Sequence, residues 1–167
     1  MQGSQPTSGL ILAGGEGKRV GGVDKGLLEH EGKPLVEHVI ATLSPQVDDI
    51  VISANRNIAR YQQYADNVVP DRSERYLGPL AGIHAALPYC RHDMVLITAC
   101  DTPFIPADII DRFLSHHANA GIYIASVEGR LQLAMMIQKR LHASISESLA
   151  AEQLSLMKWV NSQQPEI

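Results

Sequence analysis

The chain has 167 residues, of which 45% are hydrophobic, so it is long enough to bury a substantial core. Its formal net charge of -4 argues against a nucleic-acid-binding surface, and no stretch is long enough to predict a membrane span. The first residues lack the basic charges and apolar length of a signal peptide. We therefore expect one domain over residues 1–167, located in the cytoplasm and without a nucleic-acid or membrane partner.

Strand-like apolar runs alternate with helical patterns along the chain. Strands are predicted at residues 9–13, 49–53, 67–70, 94–99, 121–127 and 131–138, the last two joined as a hairpin by residues 128–130. Helices are predicted at residues 34–43, 58–64, 78–89, 106–114 and 140–160. This alternation predicts an α/β fold with a mostly parallel sheet covered on both faces, and the late hairpin makes the sheet mixed.

A glycine-rich loop follows the first strand. Residues 14–25 hold five glycines and three basic residues. Glycine lets the backbone approach a ligand closely, and successive N–H groups form a concavity that binds anions. Arg19 and Lys25 add full charges, which bind phosphate more strongly than neutral donors do. We predict a polyphosphate site, and the alternative is a surface loop without function.

The loop differs from two common phosphate motifs. The P-loop pattern is absent, because Lys18 is followed by Arg19 and Lys25 by Gly26. The dinucleotide fingerprint fails because Val20 stands where a glycine is required. A dinucleotide site is therefore not predicted.

Polar residues follow the other predicted parallel strands, where ligands of open α/β sheets bind. Asp101 follows an apolar strand and is expected to face the glycine loop. Because Mg²⁺ prefers one or two carboxylates plus substrate phosphates, Asp101 is a candidate Mg²⁺ ligand, and the alternative is a helix cap or turn aspartate. Asn55 and Asp71 are candidates for hydrogen bonds to a base or ribose, or for plain turn residues.

The cysteines and histidines show no catalytic pattern. Cys90 and Cys100 have neither the spacing of a metal site nor that of a disulfide framework, so we expect reduced cysteines in a reducing compartment. The seven histidines have no ligand spacing and are interpreted as surface or helix-face residues.

Several motifs together resemble one enzyme family. They are Leu12-Ala13-Gly14-Gly15-x-x-x-Arg19, Lys25, Asp71, Gly78-Pro79-Leu80-Ala81-Gly82 and Cys100-Asp101-Thr102-Pro103. This pattern resembles the nucleotidyltransferases of molybdenum cofactor synthesis, and most specifically the guanylyltransferases of the MobA type. The resemblance covers residues 9–104 strongly and continues more faintly to residue 160. It implies a Rossmann-like, three-layer nucleotidyltransferase fold.

The resemblance also implies an activity: transfer of GMP from GTP to the phosphate of molybdopterin, with release of pyrophosphate. Mg²⁺ is the implied cofactor, and other cofactor-synthesis proteins and acceptor molybdoenzymes are implied partners of a monomer. Site residues are implied in three groups: catalytic Arg19, Lys25 and Asp101, the last also the metal ligand; GTP-binding Leu12, Ala13, Gly14, Gly15, Lys25, Ser53, Asn55, Asp71 and Asp101; and Gly78, Pro79 and Gly82 on the molybdopterin side. Ser53 stands where close relatives carry asparagine.

Two alternatives stay open. One is a related transferase that uses CTP or acts on a sugar phosphate. The other is a non-catalytic carrier of GTP or molybdopterin, which would bind nucleotide without releasing pyrophosphate. The carrier is considered because the chain ends at Ile167, so that we expect it to be short at the C-terminus relative to this family.

Overall fold

The computed structural model describes residues 5–15, 22–71, 77–115 and 120–167. The strands are β1 (Thr7–Leu12), β2 (Glu29–His30), β3 (Lys33–Pro34), β4 (Asp49–Ser53), β5 (Asn67–Val69), β6 (Met94–Ala99), β7 (Ile122–Val127) and β8 (Arg130–Gln138). Six of them form the central sheet in the order β5-β4-β1-β6-β8-β7, while β2 and β3 form a separate hairpin. The first four strands of that order are parallel, and β8 runs antiparallel to β6 and β7. The predicted mostly parallel, mixed sheet is therefore confirmed.

Helices cover both faces of this sheet. They are α1 (Leu35–Leu43), α2 (Ile58–Tyr61), α3 (Pro79–Ala86), α4 (Ile109–Ser115), α5 (His142–Ala150) and α6 (Leu156–Ser162). Because side chains alternate along a strand, Leu10 of β1 packs into the core under α3, α5 and α6. Its neighbour Ile11 packs on the other side with α1, α2 and α4. Among the described residues, no helix has the length and apolar character needed to cross a bilayer.

Most predicted elements are present, but several bounds differ. Strand β1 spans Thr7–Leu12 rather than 9–13, and α2 ends at Tyr61 rather than at residue 64. The tail is two helices, because the chain leaves the helix after Ala150 and Ser155 caps α6 by accepting a hydrogen bond from the Lys158 N–H at 3.3 Å. The prediction of helix through residues 151–155 is therefore wrong. Helix α4 begins at Ile109, three residues after Pro106. The β2–β3 hairpin was not predicted, since its strands have only two residues each.

The order of the strands places a ligand crevice at one point of the sheet. From β1 the chain passes first to β4 and β5 on one side, and it later returns to β6 on the other side. Such a change of direction opens a crevice at the carboxyl ends of the two strands involved, where open α/β proteins bind their ligands. That point lies between the glycine-rich loop after β1 and Asp101 after β6.

Candidate active site

Backbone hydrogen bonds hold the strand ends of the site together. The Ala13 N–H donates to the Ser53 carbonyl oxygen at 2.7 Å, and the Cys100 N–H donates to the Leu12 carbonyl oxygen at 3.0 Å. The chain segments that follow β1, β4 and β6 therefore begin side by side. This confirms that residues far apart in sequence meet at one edge of the sheet.

The glycine loop offers free backbone donors at its start. The side chains of Leu12 and Ala13 are buried. Within the described part of the chain, the N–H groups of Gly14 and Gly15 have no hydrogen-bond partner, so they remain available to an anion. At the far end of the loop, Gly22 has a φ of +79°, which L side chains rarely adopt.

One predicted member of the loop cannot be placed. Arg19 falls in residues 16–21, outside the described residues. Its implied contact with the pyrophosphate group therefore stays a prediction.

Lys25 and Asp101 meet across the crevice, although 76 positions separate them in sequence. The Lys25 Nζ lies 3.4 Å from the Asp101 Oδ2, and the two side chains are 47% and 34% exposed. An ion pair this exposed contributes little stability. Either group is therefore free to exchange its partner for a phosphate or a metal at little cost.

Asp24 fixes the backbone next to Lys25. Its carboxylate is 8% exposed and accepts two hydrogen bonds, from the Tyr61 hydroxyl at 2.5 Å and from the Asn57 side-chain amide at 2.9 Å. Burial, and then the contact with Asp24, raises the pKa of Tyr61 above its usual range, so the hydroxyl keeps its proton and donates. Sequence reasoning missed this contact because Tyr61 is 37 positions away.

Gly26 is buried against Tyr61 and Cys100. A Cβ on Gly26 would lie 2.5 Å from the Tyr61 hydroxyl oxygen and 2.9 Å from both the Cβ and Sγ atoms of Cys100. Residue 26 can therefore carry no side chain without moving its neighbours.

We expect Gly26→Ala to destabilise the fold, because the added methyl overpacks this contact. Overpacking of a close-packed interior costs about 1–3 kcal/mol. Urea unfolding measures the change. The matched control is Gly15→Ala, since a Cβ at Gly15 meets nothing within 4 Å. Equal stability of the two variants would contradict the close contact at Gly26.

Cys100 stands beside the site, but it is not a nucleophile. Burial, with smaller contributions from Asp101 and Asp24, raises the pKa of its thiol to about 12. The thiol is therefore protonated at neutral pH, whereas nucleophilic attack and metal binding need the thiolate. Cys90 and Cys100 are both free, as predicted, and both are buried.

Asn55 and Asp71 lie together at the ends of β4 and β5. The Asn55 Oδ1 accepts a hydrogen bond from the Asp71 N–H at 2.9 Å, so Asn55 shapes the turn. Its Nδ2 lies 3.6 Å from the ideal Cβ position of Gly14, close to the start of the glycine loop. The Asp71 Oδ1 is buried and, within the described residues, has no hydrogen-bond partner. An unsatisfied buried acceptor is costly, so this oxygen is suited to receive a donor from a ligand.

The remaining candidates lie around the start of α3. Gly78 has a φ of +80°, and Pro79 is the exposed first residue of the helix. Gly82 is buried, and its ideal Cβ position is 2.8 Å from the Oγ of Ser53, which is itself 3% exposed. Gly82 therefore packs the helix against β4. The implied contacts of Ser53 with GTP, and of Gly78, Pro79 and Gly82 with molybdopterin, stay predictions.

The donor set at Asp101 fits one kind of metal site. Among the described residues, no three His, Cys, Asp or Glu side chains come together as a metal cage. Asp101 offers one accessible carboxylate next to unpaired backbone donors for phosphate. This combination suits Mg²⁺, which binds through one or two carboxylates together with substrate phosphates and waters.

A wide cleft borders Asp101 on the side away from α3. Its volume is about 740 Å³, and Phe104, Val127 and Leu133 contribute to its apolar lining. Phe104 is 86% exposed and Val127 is 59% exposed. We call this feature the Phe104 cleft. The only sign of this cleft in the sequence is an aromatic residue between Pro103 and Pro106.

Two of the histidines interpreted as surface or helix-face residues lie on facing helices, His84 on α3 and His142 on α5. The rings of His84 and His142 stack with centroids 4.3 Å apart, and the His84 Nε2 lies 2.7 Å from the Ser146 Oγ. Burial, and then His142, lowers the pKa of His84. The Ser146 hydroxyl donates to the His142 carbonyl oxygen at 3.1 Å, so it accepts from His84 and is not activated as a nucleophile. These residues join α3 to α5.

Together, the open α/β sheet, the amides of Gly14 and Gly15, which are unpaired among the described residues, and the Lys25–Asp101 pair at the switch point have the arrangement of an α/β protein that binds phosphate groups. The chain belongs to the MobA-like NTP transferase domain family, whose model matches residues 9–166.

Curated relatives of this chain are named molybdenum cofactor guanylyltransferase. The protein from Pseudomonas syringae pv. tomato is 52% identical over 105 residues, which cover 63% of this chain but only 52% of that relative, about half its length. The protein from Pseudomonas putida strain KT2440 is 44% identical over 156 residues, which cover 92% of this chain and 81% of the relative.

Solved structures share the fold at lower identity. Molybdopterin-guanine dinucleotide biosynthesis protein A from Archaeoglobus fulgidus has a TM-score of 0.74 and 19% identity, covering 93% of this chain and 79% of the other. The inositol-1-phosphate CTP transferase from T. maritima has a TM-score of 0.70 and 17% identity, covering 97% and 84%. The chain therefore shares its fold with proteins whose names refer to different nucleotides.

Proposed function

We propose that this chain transfers GMP from GTP to the terminal phosphate of molybdopterin and releases pyrophosphate. The relatives named molybdenum cofactor guanylyltransferase, at 38–52% identity, support this substrate pair. The observation that carries the proposal is the convergence of Lys25 and Asp101, 3.4 Å apart, at the strand ends where the Cys100 N–H bonds to Leu12, two residues before Gly14. That arrangement can neutralise a triphosphate at the point where its α-phosphate reacts.

The reaction is a displacement at the α-phosphorus of GTP. An oxygen of the molybdopterin phosphate attacks, the bond to the β-phosphate oxygen breaks, and pyrophosphate leaves with that electron pair. No general base is needed, because a phosphate nucleophile is already ionised at neutral pH. Positioning and charge neutralisation therefore supply most of the rate. Lys25, together with Arg19, would stabilise the charge that grows on the leaving pyrophosphate.

Asp101 would hold Mg²⁺ in this reaction. Its carboxylate is the accessible acid at the switch point, and Lys25 is its partner while nucleotide is absent. When bound there, the metal would neutralise charge on the phosphates. Lys25 would then leave Asp101 for a phosphate oxygen, which the weak, exposed ion pair permits.

The nucleoside would lie toward the ends of β4 and β5. The loop backbone at Leu12 to Gly15 would border it, and Asn55 and Asp71 would contact it. The buried, unpartnered Asp71 Oδ1 supports this placement, because a guanine or ribose has N–H or O–H donors to offer. Ser53 is buried at the end of β4, bonded through its carbonyl oxygen to Ala13, and would help to shape this subsite.

The Phe104 cleft would receive the acceptor. It opens next to Asp101 on the side opposite the proposed nucleoside subsite, so an acceptor there would present its phosphate to the reacting phosphorus. Its apolar lining suits the flat ring system of a pterin, which can stack on an exposed aromatic side chain. Gly78 and Pro79, on the α3 side, remain the candidates implied by family resemblance.

We expect Phe104→Ala to raise the KM for the molybdopterin acceptor by roughly fivefold, because the loss of one aromatic contact costs about 1 kcal/mol. The affinity for GTP should not change. The control is Tyr89→Ala, an exposed aromatic that does not line this cleft. An unchanged KM for the acceptor in the Phe104 variant would mean that the acceptor does not bind in the Phe104 cleft.

A related transferase that uses CTP is the second candidate, and the shared fold of the CTP transferase from T. maritima supports it. Thermal unfolding with GTP, CTP, ATP and UTP, each with Mg²⁺, separates the two. A ligand that binds only the folded state raises the midpoint in proportion to its affinity. We expect GTP to raise it most. A larger shift with CTP would mean that CTP, and not GTP, is the substrate nucleotide.

We also propose the compartment and the partners of this reaction. Two buried free thiols fit a reducing compartment such as the cytoplasm, where a monomer would pass its product to other cofactor-synthesis proteins and to acceptor molybdoenzymes.

A further inference from the structure

The start of α2 contacts both ends of the glycine loop. The Arg56 Nη1 donates to the Gly22 carbonyl oxygen at 2.7 Å, and its Nη2 donates to the Gly15 carbonyl oxygen at 3.0 Å. Gly15 and Gly22 are the last and first described residues on either side of residues 16–21. One planar guanidinium therefore sets the distance between the two ends of the loop.

A second pair of contacts continues this connection toward Lys25. Asn57 and Tyr61, both in the same turn of chain as Arg56, donate to the buried carboxylate of Asp24. Tyr61 is fully buried, so its ring holds the donating hydroxyl in place. The segment 56–61 thus makes four hydrogen bonds to the loop and to the residue directly before Lys25.

These contacts fix the position of the Lys25 backbone. Asp24 is held by α2, and Gly26 packs against Tyr61 and Cys100 without room for a side chain. Lys25 lies between these two held residues, at the start of a 3-10 turn. The Leu27 N–H donates to the backbone carbonyl oxygen of Asp24, and the Leu28 N–H donates to that of Lys25, each at 3.1 Å. Its flexible side chain therefore starts from a fixed backbone that points toward Asp101.

We propose that Arg56 is a positioning residue: by bridging the Gly15 and Gly22 carbonyls it holds these two glycines, and with them the backbone that leads to Lys25, in the geometry that binds the triphosphate. This inference rests on the proposed nucleotidyl transfer and assigns a role to a residue that does not itself contact the nucleotide. Arg56 directs one N–H of each Nη to a backbone carbonyl oxygen of the protein, Gly22 and Gly15. These two contacts fix the plane of the guanidinium against the backbone.

Substitution of Arg56 separates this role from direct phosphate binding. We expect Arg56→Gln and Arg56→Lys to weaken GTP binding to a similar extent, each by roughly tenfold, because lysine keeps the charge but cannot bridge two carbonyls in a fixed geometry. Arg60→Gln, with the same loss of charge on an exposed residue of α2, should bind GTP normally. Normal binding by Arg56→Lys, with weak binding by Arg56→Gln, would overturn the proposal in favour of a direct charge contact.

A double-mutant cycle with Lys25→Ala tests whether Arg56 acts through the lysine and the loop. If it does, Arg56→Gln should weaken GTP binding less than about twofold on the Lys25→Ala background, compared with roughly tenfold alone. Full additivity of the two substitutions would overturn the positioning role.

A readout without nucleotide keeps this inference separate from the proposed function. Amide hydrogen exchange at Leu27 and Leu28 reports on the turn that carries Lys25. We expect faster exchange in Arg56→Gln and Arg56→Lys, and unchanged exchange in Arg60→Gln. Unchanged exchange in the Arg56 variants overturns the positioning role. If the unmodified chain does not bind GTP, the proposed function is overturned, and the exchange rates alone then decide whether Arg56 positions the loop ends.

Discussion

Asp101→Asn is expected to reduce pyrophosphate release by at least ~10²-fold, the scale on which removal of one preorganised electrostatic group acts. Asparagine keeps the shape of the side chain but lacks the negative charge that Mg²⁺ needs. The Asp101 carboxylate stands at the switch point, 34% exposed, with Lys25 as its partner. GTP should still bind weakly through the loop amides and Lys25, but Mg²⁺ should no longer tighten that binding.

The measurement is pyrophosphate release at saturating GTP and molybdopterin over a range of Mg²⁺ concentrations. Asp66→Asn is the matched control, since it removes the same charge from an exposed residue just before β5. It should leave the rate unchanged. A wild-type rate with wild-type Mg²⁺ dependence in Asp101→Asn would show that the metal is held elsewhere.

Lys25→Ala should weaken GTP binding by about one to two orders of magnitude, because a charge-assisted hydrogen bond contributes about 1.5–3 kcal/mol. The fold should barely respond: the side chain is 47% exposed, and such surface changes usually shift the free energy of unfolding by less than about 0.5 kcal/mol. Asp101 would lose its ionic partner, so Mg²⁺ binding in the absence of nucleotide should not weaken.

Isothermal titration with GTP measures the first effect and urea unfolding the second. Lys33→Ala, on the exposed hairpin strand β3, removes an equal charge and serves as the control. Unchanged GTP affinity in Lys25→Ala would mean that Lys25 does not contact phosphate.

Local patterns predicted much of the fold. The strands at 49–53 and 94–99 have the predicted bounds because each is a short apolar run between polar residues. The tail could not be predicted as well, since its residues favour helix throughout and the break depends on the Ser155 cap. The two-residue strands of the β2–β3 hairpin carry too short a pattern to detect.

The candidate site was predictable where its chemistry is carried by residue type. A glycine-rich loop with basic residues after a strand indicates a phosphate site, which includes Lys25. An aspartate after a neighbouring strand, Asp101, indicates a metal site. Asp24 and Arg56 gave no such signal, because a buried aspartate and a surface arginine are recognised only when their partners 37 and 41 positions away are seen. Long-range contacts of this kind follow from the fold.

The central claim is tested most directly by following the α-phosphate of GTP. The chain is incubated with Mg²⁺, molybdopterin and GTP radiolabelled at the α-phosphate, and the products are separated. The account predicts that the label joins molybdopterin in a dinucleotide, with one pyrophosphate released for each label transferred and none without molybdopterin. Label that stays in GTP while the protein binds it would contradict the transfer and favour a carrier, and label transferred from CTP but not from GTP would contradict the choice of nucleotide.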